Sequence, residues 1–143
     1  MPSRAFWLIS LSGLVPFLTC LVLAYGVPAL AESAKAVFLT YSALTLSFLG
    51  GARWGAELVR APDAPALPRL VLSAVPSVLG MAALLPQTAP RVAAGLLLAS
   101  SAGQLWWDVR ASRDGLLPAW NGTVRTVLTA LGTACTLAMW PLL

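Results

Sequence analysis

Apolar residues in this chain fall into long blocks, broken at intervals by proline, glycine and charge. This is not the short alternation of a half-buried strand or the one-sided stripe of a surface helix. A helix that crosses a bilayer needs about 20 mainly apolar residues. Five blocks fit that description: 5–24, 36–59, 70–85, 91–107 and 122–142. The third and fourth are short, which predicts little tilt or a locally thinned bilayer. Breakers mark the connections: Gly26 and Pro28, then Pro62, Pro65 and Pro68, then Pro86 and Pro90, then Gly115 and Pro118. The three prolines from 62 to 68 read as a stiff connection. Pro16 and Pro76 lie inside blocks, where each removes a backbone donor and predicts a kink. The expected fold is therefore all-α: one polytopic membrane bundle of five transmembrane helices occupying residues 1–143.

Composition narrows the function. Hydrophobic types make up 59 % of the 143 residues and charged types 10 %, against about 45–50 % and 25 % in soluble domains. Disorder is excluded, and an ordinary soluble enzyme fits poorly. Nine basic residues against five acidic ones give a net charge of +4, too sparse for a phosphate-tracking surface, so no nucleic-acid partner is expected. There is no histidine and there are two cysteines. No metal site, disulfide framework or cofactor is expected from such a set. Cys20 and Cys135 fall at similar depths in spans running the same way, about 21–23 Å in at 1.5 Å per residue. They read as small buried hydrophobes and as neighbours. A secretory signal is the competing reading of the first block, with Arg4 ahead of it and Ala29-Leu30-Ala31 as a cleavage-like site. Its apolar run exceeds the usual 7–15 residues, which favours a retained span.

Five spans place the N-terminus on the same side as the second and fourth connections. That side carries Arg4, Arg60, Arg69, Arg110, Arg113 and Arg125, while the other carries Lys35 and Arg91. The positive-inside bias then puts the N-terminus in the cytoplasm and the C-terminus on the outer side. Trp7, Trp106, Trp107 and Trp120 fall near the cytoplasmic boundary and Trp140 near the outer one, where indoles anchor a helix.

Within lipid, close helix approach depends on small residues. Steps of four residues pick out Ala43, Ser47, Gly51 and Gly55 in the second span and Gly95, Ala99 and Gly103 in the fourth. A similar run in the fifth begins at Gly122. These are expected to pack helices within the bundle, or to dock a partner or a second copy. The polar residues at membrane depth are more informative. Arg53 and Glu57 share a helix face, as do Gln104 and Asp108, and Asn121 and Arg125 open the fifth span. The five-span topology brings all six to the cytoplasmic end. Arg53 lies about 9 Å inside its span. An unpaired charge at a helix centre costs about 2.5–3.5 kcal/mol on insertion scales. Arg53 is therefore expected to pair with Glu57, Asp108 or both. The cluster either ties helices together, lines a shallow cavity for a polar or anionic group, or exchanges protons.

At these residues the chain resembles an uncharacterised membrane family, a domain of unknown function that includes mitochondrial transmembrane protein 69. The resemblance is carried by Gly13-Leu14-Val15-Pro16-Phe17 and by Ser47-Phe48-Leu49-Gly50-Gly51-Ala52-Arg53-Trp54-Gly55. It continues through Val75-Pro76-Ser77, Gln104 with Asp108, and Gly115-Leu116-Leu117-Pro118-Ala119-Trp120. It implies a bacterial inner-membrane or mitochondrial protein of about five helices and brings no catalytic residue. The leading expectation is a non-enzymatic accessory or assembly protein, in contact with the lipid bilayer and with a larger membrane complex or further copies of itself. The alternative is a binder or transporter of a quinone, tetrapyrrole, lipid or small anion at the Arg53–Asp108 end, recognisable by a pocket with both residues in its wall.

Overall fold

The structure, a computed structural model, describes residues 3–60 and 66–143. Pro62 and Pro65 of the expected stiff connection lie outside the described residues. The remainder folds as five helical rods, with no strand among the described residues. The first rod is broken in two, α1 (Arg4–Ser12) and α2 (Val15–Gly26); then come α3 (Ala31–Arg60), α4 (Leu67–Ala83), α5 (Pro90–Arg113) and α6 (Ala119–Met139).

The boundaries follow local chemistry. Ser3 caps α1, its hydroxyl accepting from the Phe6 N–H at 3.2 Å. The chain breaks at Gly13–Leu14, and Pro16 then sits in the first turn of α2, where a missing N–H costs nothing. The Tyr41 hydroxyl donates to the Gly13 carbonyl at 2.8 Å and holds the break. The kink expected at Pro16 is thus a short interruption just before it. Pro76 lies inside α4, which continues through it. α3 starts five residues before the expected span: Glu32 supports its first turn, and Lys35 bridges back to it at 2.6 Å. α5 runs on to Arg113, with Arg110 and Arg113 in the last turn, where cations suit the helix dipole. Gly115 then takes φ 76°, a left-handed conformation suited to glycine, and turns the chain towards α6.

Successive rods run in alternating directions. At one end Phe6 meets Trp120 edge-on at 4.9 Å and Arg69 comes within 3.8 Å of Glu57. At the other end the Tyr25 hydroxyl donates to the Ala138 carbonyl at 2.6 Å and Lys35 to the Leu142 carbonyl at 3.0 Å. The apolar core lies towards this second end in two groups. Phe17, Phe38 and Met139 centre one, with both Cys20 and Cys135 in it; Leu46, Ala94 and Leu97 centre the other.

The distribution of side chains is inverted relative to a soluble domain. Arg53, Glu57, Gln104 and Asp108 are buried, while Ile9, Val22, Phe48 and Val59 are exposed. By length and composition one rod, Arg4–Gly26, is clearly long and apolar enough to cross a membrane; Leu67–Ala83 is apolar but shorter. The five equivalent apolar spans expected from the sequence therefore reduce to one plain one. α4, with 17 residues, is short, and the longer rods carry charges and hydroxyls that lower their mean hydropathy.

Ala43 and Gly122 are buried and packed, against Gly80 and Ser112, but most of the other small-residue steps in α3 and α5 do not make the expected contacts within the chain. Gly51, Gly55, Ala99 and Gly103 are exposed, and a Cβ added at any of the three glycines would meet open space. Ser47 and Gly95 are half-buried, and the nearest neighbour of a Cβ on Gly95 would be Trp140 at 3.9 Å. Close approach falls instead on Gly50, where an added Cβ would stand 2.5 Å from the Ser73 carbonyl oxygen, and on Gly80, against Ala43. The reason is periodicity. A strict four-residue step drifts by about 40° each time on a 3.6-residue helix, whereas alternating steps of three and four keep one seam facing a partner. The buried seam of α3 is Leu39, Ala43, Leu46, Gly50, Arg53 and Glu57.

Candidate functional site

The same three-four alternation that buries Leu46 and Gly50 carries Arg53 and Glu57 into the bundle. In α5 it carries Leu97, then Gln104, Asp108 and Ala111. Charge therefore occupies the packing seam itself at one end of the molecule.

Two carboxylates organise this end. Glu57, 2 % exposed, accepts from Arg53 Nη2 at 3.0 Å through Oε1; its Oε2 lies 3.6 Å from Arg60 and 3.8 Å from Arg69. Asp108 accepts from Arg125 Nε at 2.9 Å through Oδ2 and from Gln104 Nε2 at 3.3 Å through Oδ1. Arg53 is thus paired with Glu57, and Asp108 with Arg125 from α6. Trp107, next to Asp108 in α5, stacks on the first group: its ring centroid lies 4.4 Å from the Arg53 guanidinium carbon. Arg53 is 4 % exposed, and its Nε and Nη1 are buried without a hydrogen-bond partner. Its charge is held by one carboxylate and one aromatic face.

A cavity of about 830 Å³ runs between α1, α2, α3, α5 and α6. Arg53, Asp108, Asn121 and Arg125 line its polar end; Phe17, Phe38 and Leu97 line its deep end. Along α6 it extends from Asn121 to Thr136, about 22 Å at 1.5 Å per residue. Its volume lies in the range of small-molecule sites, and spread over that length it is narrow. Ser42 and Thr136 in its wall donate to carbonyls of their own helices, at 2.8 and 3.0 Å, so their hydroxyl protons are already engaged. Asn121 lines the cavity without a side-chain hydrogen bond to either ion pair among the described residues.

All six polar residues singled out in the sequence lie at this end. What sequence reasoning missed is the contribution of Trp107 and of Arg60, Arg69 and Arg110. They read as boundary anchors and orienting charges, yet they surround Arg53. Spacing along one helix cannot show an aromatic ring arriving from another. No group of three or more His, Cys, Asp or Glu side chains that could hold a metal ion occurs among the described residues.

Fold and site together define an all-helical bundle with a charged seam at one end and a long, mainly apolar cavity leading from it. The chain belongs to the family described as Protein of unknown function (DUF3429), which its sequence matches over residues 1–141. No curated protein and no solved structure matches it.

Proposed function

We propose that this chain is a multi-pass protein of the bacterial inner membrane. All five rods cross the bilayer, and the cavity holds a small amphipathic molecule whose polar end lies against Arg53, Asp108 and Arg125. The observation that carries the reading is the cavity itself, with both Arg53 and Asp108 in its wall.

The inverted distribution of side chains supports the membrane setting. Soluble monomers rarely expose contiguous apolar patches beyond a few hundred Å², whereas Ile9, Phe48, Met81, Val92 and Leu137 project one from each of the five rods. The low mean hydropathy of α3 and α5 is consistent with this. Arg53, Glu57 and Asp108 face the interior and the remaining charges lie in or near the terminal turns, so the average understates the apolarity of the outer faces between them. Resemblance to the family of mitochondrial transmembrane protein 69 points the same way. The arginine bias favours a cytoplasmic N-terminus and a periplasmic C-terminus.

A narrow cavity about 22 Å long favours a lipid or the tail of a quinone over a tetrapyrrole or a small anion. Binding is favoured over catalysis because Glu57 and Asp108, the carboxylates best placed for acid–base work, are both held by guanidinium partners. The test is organic extraction and mass spectrometry of the protein purified in mild detergent. A stoichiometric amphiphile is expected from the wild type and none from Gly132→Leu. Gly132 lines the cavity, and a Cβ there meets open space. A wild-type protein that retains annular lipid yet carries no stoichiometric amphiphile would sink the reading.

A second reading, an accessory or assembly protein, is favoured by the exposed glycines Gly51, Gly55 and Gly103, which let another helix approach closely. Cross-linking in membranes tests it. Recovery of the chain alone at every detergent strength would count against it.

A further inference from the structure

Beside the cavity lies a second hollow of about 400 Å³ that shares only Arg53 with it among the described residues. Arg60 from α3, Arg69 from α4 and Arg110 from α5 stand around it with Arg53, and Trp107 forms part of its wall. We infer that this arginine basin is a binding site for a phosphate group, carried by a lipid headgroup or by a free phosphate anion.

Charge is the first argument. Among the described residues, four guanidinium groups face the carboxylates of Glu57 and Asp114, which leaves two positive charges in excess. Three helices bring these cations together against their mutual repulsion, and a dianionic group would offset it. Glu57 cannot do so alone. Its Oε1 is committed to Arg53, and its Oε2 lies at 3.6 and 3.8 Å from Arg60 and Arg69, beyond hydrogen-bonding distance.

Donor geometry is the second. Arg60 and Arg69 have side chains 43 % and 45 % exposed, so their N–H groups are available to a ligand. Arg110 rests over the exposed Trp106 ring, 5.6 Å from its centroid, which braces it beside the hollow. Arginine forks match phosphate oxygens and form charge-assisted bonds stronger than neutral ones. Gly115, with its left-handed backbone, and Leu116 complete the wall from the turn after α5.

Location is the third. Under the membrane reading proposed above, the basin faces the cytoplasmic boundary, beside Trp106 and Trp107. Basic pockets between transmembrane helices on that side are suited to anionic headgroups. The phosphate chemistry does not depend on what the apolar cavity holds.

The test uses the full-length chain in a neutral detergent. Its unfolding midpoint is followed against inorganic phosphate, against chloride at matched ionic strength, and against micelles doped with phosphatidylglycerol or zwitterionic phosphatidylcholine. A saturable rise with phosphate or phosphatidylglycerol, and none with chloride, is expected. A response to inorganic phosphate identifies a free anion as sufficient; a response to phosphatidylglycerol alone identifies a headgroup site. R69Q and R110Q each weaken half-saturation about tenfold, the loss of one charge-assisted bond. Each serves if the other fails to fold. R113Q, outside the basin, leaves half-saturation unchanged, as does Gly132→Leu, which fills only the cavity. Lack of a saturable response to either ligand, or equal half-saturation in wild type, R69Q and R110Q, overturns the assignment.

Discussion

Arg53 lies with its guanidinium carbon 4.4 Å from the centroid of the Trp107 ring while its Nη2 donates to Glu57 at 3.0 Å. The aromatic face accepts a weakly hydrated cation where water is excluded. One carboxylate and one ring thus stabilise a charge that the surrounding helices have removed from solvent.

Removing that carboxylate leaves Arg53 buried with no hydrogen-bonded counter-charge. Glu57→Gln is expected to destabilise the protein by about 3–5 kcal/mol, the usual result of breaking one side of a buried pair. The double variant Arg53→Met with Glu57→Gln should recover much of the loss. A double-mutant cycle on denaturant unfolding in detergent measures the coupling. Additive losses would contradict the pairing.

Adjacent glycines in α3 should behave oppositely. Gly50→Ala drives a methyl group to 2.5 Å from the Ser73 backbone oxygen and forces α3 and α4 apart. A loss of about 1–3 kcal/mol is expected for overpacking of this kind. Gly51→Ala meets open space and gains about 0.5–1 kcal/mol from helix propensity. Unfolding midpoints of the two single variants decide the matter.

The hydroxyl that holds the break in the first rod can be removed without changing much volume. Tyr41→Phe loses the 2.8 Å bond to the Gly13 carbonyl. It should cost about 0.5–1.5 kcal/mol. Faster hydrogen exchange should be confined to the residues around the break, read by mass spectrometry of peptides covering 10–20.

Topology can be read from labels at the two ends of α5. In a Cys20→Ala, Cys135→Ala background, Gln87→Cys should react with an impermeant maleimide from the periplasmic side of intact cells. Asp114→Cys should react only after the membrane is opened. Both positions are exposed. Labelling of both from the same side would contradict a crossing by α5.

The positions of the rods were largely legible because long apolar blocks are a strong signal. Their ends were not. α3 begins at Ala31 and α5 ends at Arg113 because Glu32 and Arg110 suit helix termini, not because those turns are apolar. The polar cluster was legible in membership through the i,i+4 pairs and the alternation of rods. Its pairing was legible in half: Arg53 pairs with Glu57, one of the two expected partners, whereas Asp108 pairs with Arg125 on α6, seventeen residues away. The helix-packing face was misread through the choice of period. Steps of four selected Gly51 and Gly55, whereas the three-four seam runs through Gly50, Arg53 and Glu57. Placing a charge on that seam required accepting arginine and glutamate as interior residues.

The interruption at Gly13–Leu14 gives the cavity one wall unlike the rest. α1 contributes Phe6, Ile9 and Ser10 to that wall, yet buries none of its own residues. Swinging it outward would disrupt the Phe6–Trp120 contact and leave the interior packing around Phe38 and Leu46 intact. This flank of the cavity is therefore anchored by fewer interior contacts than the walls formed by α3, α5 and α6.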